Sequence, residues 1–388
     1  SNRSLNLDGN GVGNLGALRS IAGNNSWATN ITLAGTSLSA GIGVDQGTLA
    51  VSGKIDGGST TLRKEGAGIL LITGSNNSQA ASVVNGGTLI QIGSDNVPVT
   101  VQNSSTLMGS GKTGSLTVNT GQTAFLAPGL ASNATSVLST GSLDIRSSAA
   151  VINIDLNGLG ISSPVAGQDF DQLKVQGNVS LSGSPVLNLS LNFSPNVIGT
   201  KYTIINNDGA DAVVGTFAGL AEGSLVTSNN FSYRISYVGG DGNDVTLTAV
   251  GVVTTTTISS SDVDNASIYG QAITYTASVN GLGGSISAGT VQFFDNGSAL
   301  GSSVAVVGGS ASVNVSTLSV ANSPHVITAS YTGVGVIASS NSTNSIIHAV
   351  TRASTSVTVS SPVAVYGTDL PLTFTALVTP QFSGGSAT

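Results

Sequence analysis

The sequence predicts an all-β protein, a solenoid of stacked coils followed by β-sandwich repeats, on three observations. First, a Gly-x-apolar-x-apolar unit recurs at Gly47 (GTLAV), Gly68 (GILLI), Gly87 (GTLIQ), Gly114 (GSLTV), Gly141 (GSLDI) and Gly177 (GNVSL), in steps of 21, 19, 27, 27 and 36 residues. Repetition at such a period marks units too small to bury a core alone, which gain one by stacking. Second, helix signals are nearly absent, with no long 3.6-residue periodicity and no capping box before an amphipathic run. Third, only 7% of the 388 residues are charged, while about a third are Ser, Thr and Asn and 52 are Gly. An ordinary globular domain carries about 25% charge. Here hydroxyls and amides keep a β protein soluble, and glycine and asparagine turn its corners.

The coils are read along residues 1–250. NITLAGTSLSAGIGV and GTLAVSGKI are strand pairs with glycine corners, and the Gly87 copy is imperfect because Gln91 stands where an apolar residue is expected. From Val99 to Pro128 the apolar positions are Leu107, Leu116, Val118 and Phe125. Beyond Pro128 the strands lengthen: VINIDL, FDQLKV, VLNLSL and YTII alternate with period two. In FSYRISY, Phe231, Tyr233, Ile235 and Tyr237 share one face, and a Gly-Gly-Asp-Gly-Asn turn leads into DVTLT. This hairpin and the longer units of 151–250 are expected to cap the solenoid, whose last coil otherwise leaves an unpaired edge.

The segment TLRKEGAGILLITGSNN…VVNGGTLIQIG resembles the autotransporter-associated β-strand repeat of secreted passenger regions in Gram-negative surface proteins. Phe170 to Thr248, with FDQLKVQGNVSL and SYVGGDGNDVTL, is similar to the stretch that closes such regions. The resemblance implies a right-handed parallel β-helix, and a rod of about ten coils on the order of 50 Å long.

A Thr-rich joint at 251–256 (GVVTTT) precedes a second pattern. Seven strands in about 95 residues, at sandwich spacing, suggest an immunoglobulin-like fold for 257–350. The segment resembles bacterial Ig-like repeats in Tyr269-Gly270, in GTVQFFDNG and in HVITASYTG, although Val334 stands where relatives often carry Asp. A second, incomplete repeat is expected over 353–388, since Tyr366-Gly367 echoes Tyr269-Gly270 and LTFTALV echoes ITYTASV. The chain opens in a strand and ends inside a repeat, so an excerpt of a longer precursor is expected.

Function classes narrow accordingly. Net charge is −7 without a basic patch, which argues against nucleic acid. There is no cysteine, hence no disulfide, thiol catalysis or zinc–thiolate site. No apolar run approaches a membrane span. No lysine follows Lys201, so a Lys–Asn isopeptide bond is excluded in the Ig-like segments.

Each candidate for chemistry has a plainer reading. Gly239 to Asp244 looks like one copy of a calcium-binding Gly/Asp nonapeptide, but Thr246 replaces the large apolar residue and a hairpin turn is favoured. Asp169 and Asp171 are spaced for one strand face and so for a glycosidase dyad. The only glutamates, Glu65 and Glu222, lie far off in sequence, and Asp171 is better read as capping a turn. The basic residues of the coils, Lys64 among them, are scattered rather than clustered for a lyase site. His325 and His348 are read as partly exposed strand residues, not triad members. Asp262 and Asp264 lack a third carboxylate for calcium.

The expectation is a non-enzymatic structural or adhesive protein of the bacterial cell surface. It has no catalytic, cofactor or metal residues, and it self-associates through β edges or touches surface glycans. A carbohydrate-active β-helix, lyase or binding module, is the alternative. An aromatic or carboxylate-lined groove along one β face would favour it, though Trp27 and a few tyrosines are all that 1–250 offers. A third reading is the passenger of an autotransporter, which a C-terminal β-barrel in the complete gene product would establish.

Overall fold

A computed structural model of the protein describes residues 4–34, 37–75, 77–131, 134–157, 163–191, 198–228, 231–281, 284–360, 371 and 373–381. The described residues are strands joined by turns, bends and irregular segments, and their one helical element is a three-residue 3-10 turn, Val12–Asn14. The chain forms two compact units, Ser1–Gly251 and Val252–Thr388.

In the first unit the chain returns again and again to the same sheets. A nine-stranded sheet runs in sequence order from Leu18–Ser20 to Val214–Gly215, and an eight-stranded sheet from Asn24–Trp27 to Val186–Leu191. All pairings in both are parallel. Strands of the two sheets alternate along the chain, so each passage adds one rung to each ladder. At about 4.8 Å per rung, nine strands extend roughly 40 Å.

A third side is discontinuous. It holds the parallel strands Leu5–Leu7, Ile31–Leu33 and Ile55–Asp56, and later Val137–Thr140, Gln172–Val175 and Lys201–Asn207. Between these groups it carries only single parallel bridges, Ser94 to Lys112 and Lys112 to Ser139. Rung length follows from this. Partners in the eight-stranded sheet lie 24 and 21 residues apart early on (Asn24, Thr48, Ile69), 19, 18 and 19 apart in the middle, then 26 and 35. The short rungs are the ones without a strand on the third side.

The glycine-led units fall on two ladders, not one. Those at Gly47, Gly68 and Gly87 open strands of the eight-stranded sheet, and those at Gly114, Gly141 and Gly177 open strands of the nine-stranded sheet. The step from Gly87 to Gly114 is therefore a change of side, while the other four steps are true rung lengths. Inside, like stacks on like. Leu49, Leu70, Leu89, Leu107 and Leu126 are in register and at most 5% exposed. Burial of a leucine contributes about 1.5–3 kcal/mol, and each rung repeats it.

The corners need glycine for space. A Cβ on Gly74 would lie 2.4 Å from the Gly53 carbonyl oxygen, on Gly93 1.8 Å from that of Gly74, and on Gly111 2.3 Å from that of Gly93. Successive coils thus touch backbone to backbone along a glycine column. The parallel ladder of the third side ends at Lys201–Asn207, whose far edge pairs antiparallel with Asp244–Gly251. That strand in turn pairs with Phe231–Gly239, so the sheet of the third side continues beyond its parallel strands as an antiparallel hairpin. Tyr202, Tyr233, Phe170 and Phe231 pack there ring on ring at 5.3–5.9 Å.

The second unit is a two-layer antiparallel arrangement. Thr254–Ser260, Ile273–Gly281 and Ser310–Val315 form one layer. Thr290–Asp295, His325–Thr332 and Ile346–Thr351 form the other, with Ala266–Ile268 added in parallel. Their inward residues, among them Tyr275, Phe293, Ile327 and Tyr331, make one core. The GTVQFFDNG motif is a hairpin turning at Asn296 and Gly297, both at positive φ (48° and 82°), as a two-residue turn requires. Thr254 to Thr256, placed in the joint by sequence, already belong to the first strand of this layer. Past it, Thr355–Val359 pairs with Ala376–Pro380, while Tyr366 and Gly367 lie outside the described residues.

Candidate functional site

The polar side chains with unusual surroundings lie in four places. On the outer face of the eight-stranded sheet, a cavity of about 380 Å³ is lined by Met108, Phe125, Asn153, Asp155, Asp171 and Asn188 and their neighbours. Met108 and Phe125 supply an apolar floor; the Asn188 amide donates to Asn153 Oδ1 one rung away (2.7 Å). Asp171, 1% exposed, accepts the backbone N–H groups of Ser136 (2.8 Å) and Asp155 (3.0 Å). Burial nevertheless pushes its carboxyl up to about 7, the two N–H donors working against this and the Asp155 charge adding to it. Asp169 does not share this site, because its carboxylate accepts the Val165 N–H within its own loop (2.7 Å). The strand begins only at Gln172, so the i, i+2 spacing never becomes a shared strand face. The carboxylate beside Asp171 is Asp155, and sequence spacing gave no sign of that pairing.

Lys64, one of the basic residues scattered through the sequence of the first unit, points inward. In Thr61–Glu65 the alternation turns Leu62 and Lys64 inward, and Lys64 stands in register between Ile42 and Val84. Its three ammonium protons go to the carbonyls of Glu65 (3.0 Å), Gly66 (2.7 Å) and Gly86 (2.8 Å), tying two successive corners together. Burial lowers its pKa to about 8, although Glu65 and Asp45 favour the charge. Gln91 also points inward, its amide donating to the Gly93 carbonyl (2.8 Å), and Asp95 accepts from Asn77 (2.7 Å) beside it. The imperfect repeat is thus a buried polar network. Arg19, Lys54, Arg63 and Arg146 pair with Asp45, Asp56, Glu65 and Asp144. Glu65 is buried, but the other three pairs are at least partly exposed and contribute at most about 1 kcal/mol each.

In the second unit His325 and His348 are buried, 1% and 0% exposed, which corrects the expectation of partial exposure. Both occupy inward positions and face each other across paired strands. His325 Nδ1 meets the Asp295 carboxylate (2.8 Å) and Nε2 donates to the Ser319 carbonyl (2.8 Å). His348 Nε2 meets Ser267 Oγ (2.9 Å), but its Nδ1 has no partner, so no carboxylate orients the ring as a triad requires. Burial lowers the His348 pKa. Asp262 accepts the Asp264 N–H (3.3 Å) in a local turn.

The Gly239 to Asp244 segment is a hairpin turn, Gly242 N–H donating to the Gly239 carbonyl (2.8 Å). Glu222 accepts the Tyr237 N–H (2.7 Å). Among the described residues no three His, Cys, Asp or Glu side chains gather as a metal site, and no helix is long and apolar enough to cross a membrane.

An all-β chain with a compact antiparallel two-layer unit is what the fold defines. Residues 259–351 match the bacterial Ig-like domain (group 3), so the second unit contains a segment similar to that family. No curated protein matches the chain.

Proposed function

We propose that this chain is a non-enzymatic structural or adhesive protein of the bacterial cell surface. Its first unit is a right-handed parallel β-helix of the autotransporter-associated type, and its second begins a train of Ig-like repeats. The coils project distance, and their exposed edges and polar faces supply contacts with further copies or with surface glycans. The observation that carries this reading is the pair of parallel ladders with in-register apolar columns, joined in one chain to an Ig-like segment. Buried polar groups such as Lys64 and Gln91 are engaged with backbone carbonyls, as a scaffold demands. Low charge leaves little repulsion between neighbouring copies. Electron microscopy of the purified chain tests the assembly arm: filaments with subunits in contact support it, and uniformly isolated particles at high concentration move the function to display.

A second reading, a glycan-binding face, rests on the cavity over the eight-stranded sheet. An apolar floor of Phe125 and Met108 beside planar amides and carboxylates suits a sugar ring, whose C–H face and hydroxyls need both. Calorimetry against neutral and acidic oligosaccharides tests it. Saturable binding lost in Phe125→Ala supports the face, and no heat with any of them removes it.

A further inference from the structure

A second feature lies where the chain leaves the coils. Two loops meet at the end of the third side: residues 207–211, following Lys201–Asn207, and residues 240–244, the turn before Asp244–Gly251. The Asn207 amide donates to the Asp211 carbonyl (2.9 Å), and the Asn243 amide donates to the Asp211 (3.2 Å) and Gly209 (2.5 Å) carbonyls. A carbonyl only accepts, so the NH2 end of each amide is fixed toward it and the oxygen end faces away. Those two oxygens, Asn207 Oδ1 and Asn243 Oδ1, are buried with no hydrogen-bond donor, and so is Asp211 Oδ2. Asn207 is 2% exposed and Asn243 4%.

Three donorless acceptors on residues joined through one carbonyl, that of Asp211, are unusual, since each uncompensated buried acceptor costs about 1–3 kcal/mol. The two loops carry only negative charge. Asp208, Asp211, Asp241 and Asp244 lie in the two loops, and neither loop contains Lys or Arg. Asp244 accepts the Asn207 N–H (2.9 Å). A cation is the partner that takes lone pairs from several oxygens and brings no acceptor of its own. The donors are all oxygen, a carboxylate and two amides, which selects a hard cation and disfavours zinc or copper.

We infer that the loop pair 207–211 and 240–244 binds a hard divalent cation of the calcium class through Asn207 Oδ1, Asp211 Oδ2 and Asn243 Oδ1. Bound there, the ion bridges the end of the parallel ladder to the hairpin that continues its sheet. With two of its three ligands amides, the site is not a cluster of carboxylates, and its two halves lie more than 30 residues apart in sequence.

The test is calorimetric titration of the whole chain with CaCl2 after chelator treatment and dialysis. One saturable site with Kd below about 1 mM is expected, with Mg2+ at least tenfold weaker. Asp211→Asn and Asn243→Ala should each weaken calcium binding at least tenfold, while Asp45→Asn, beside a strand seven places from Val214–Gly215 in the nine-stranded sheet, leaves it unchanged. Absence of saturation up to about 10 mM CaCl2 in the wild-type chain would mean that these oxygens hold only water and would overturn the proposal, whether or not the variants fold. Binding that survives in both variants would overturn it equally.

Discussion

Two buried ionisable residues, Asp171 and Lys64, make stability depend on pH in opposite senses. Burial holds the Asp171 carboxyl near 7 in the folded chain, against about 4 in the unfolded one. Between these values the folded state holds a proton that the unfolded state lacks, so stability from this group falls as pH rises from 4 to 7. For Lys64, lowered to about 8, the unfolded state holds the extra proton from pH 8 up to the ordinary lysine range, and stability rises with pH there. Each slope is at most about 1.4 kcal/mol per pH unit. Denaturant midpoints of the wild type against Asp171→Asn between pH 4 and 7, and against Lys64→Met between pH 7.5 and 9.5, isolate them. Each variant is expected to lose its slope; parallel wild-type and variant curves would mean that the group titrates normally. Neither residue announced its role in sequence. Lys64 is legible only once strand alternation places Leu62 inward, and Asp171 only once Ser136 and Asp155, 35 and 16 residues away, come within reach of its oxygens.

At the scale of the element, the corner glycines set how closely coils stack. Gly93→Ala puts a methyl group 1.8 Å from the Gly74 carbonyl, where only backbone movement relieves it. A loss of roughly 2–4 kcal/mol is expected from thermal or chemical unfolding. Gly121→Ala, at φ +74° in open space, should lose only about 1 kcal/mol. Equal losses at the two positions would mean that the column is not in contact. These elements were largely legible: the Gly-led units, the period-two strands of 151–250 and the DNG hairpin at 295–297 appear as strands or turns where their patterns put them, except that FDQLKV becomes strand only from Gln172. Which ladder a unit joins was not. GTLIQ and GSLTV look alike in sequence, and only the register partners of Leu89 and Leu116 assign them to different sheets. The histidine burial was misjudged because one strand cannot reveal which of its faces meets the other layer.

Across the whole first unit, distance along the sheets counts rungs, not residues. The outward column of the eight-stranded sheet runs Thr48, Ile69, Thr88, Thr106, Phe125, Val151 and Val186. The chain has no cysteine, so label pairs can be introduced at will. Pulsed electron-spin distances from a label at Thr48→Cys to labels at Phe125→Cys, Val151→Cys and Val186→Cys test the stacking most directly. Backbone spacings of about 19, 24 and 29 Å are predicted, increasing by one strand spacing per rung although the sequence gaps are unequal. Distances that grow with the number of intervening residues, or that scatter broadly, would contradict it.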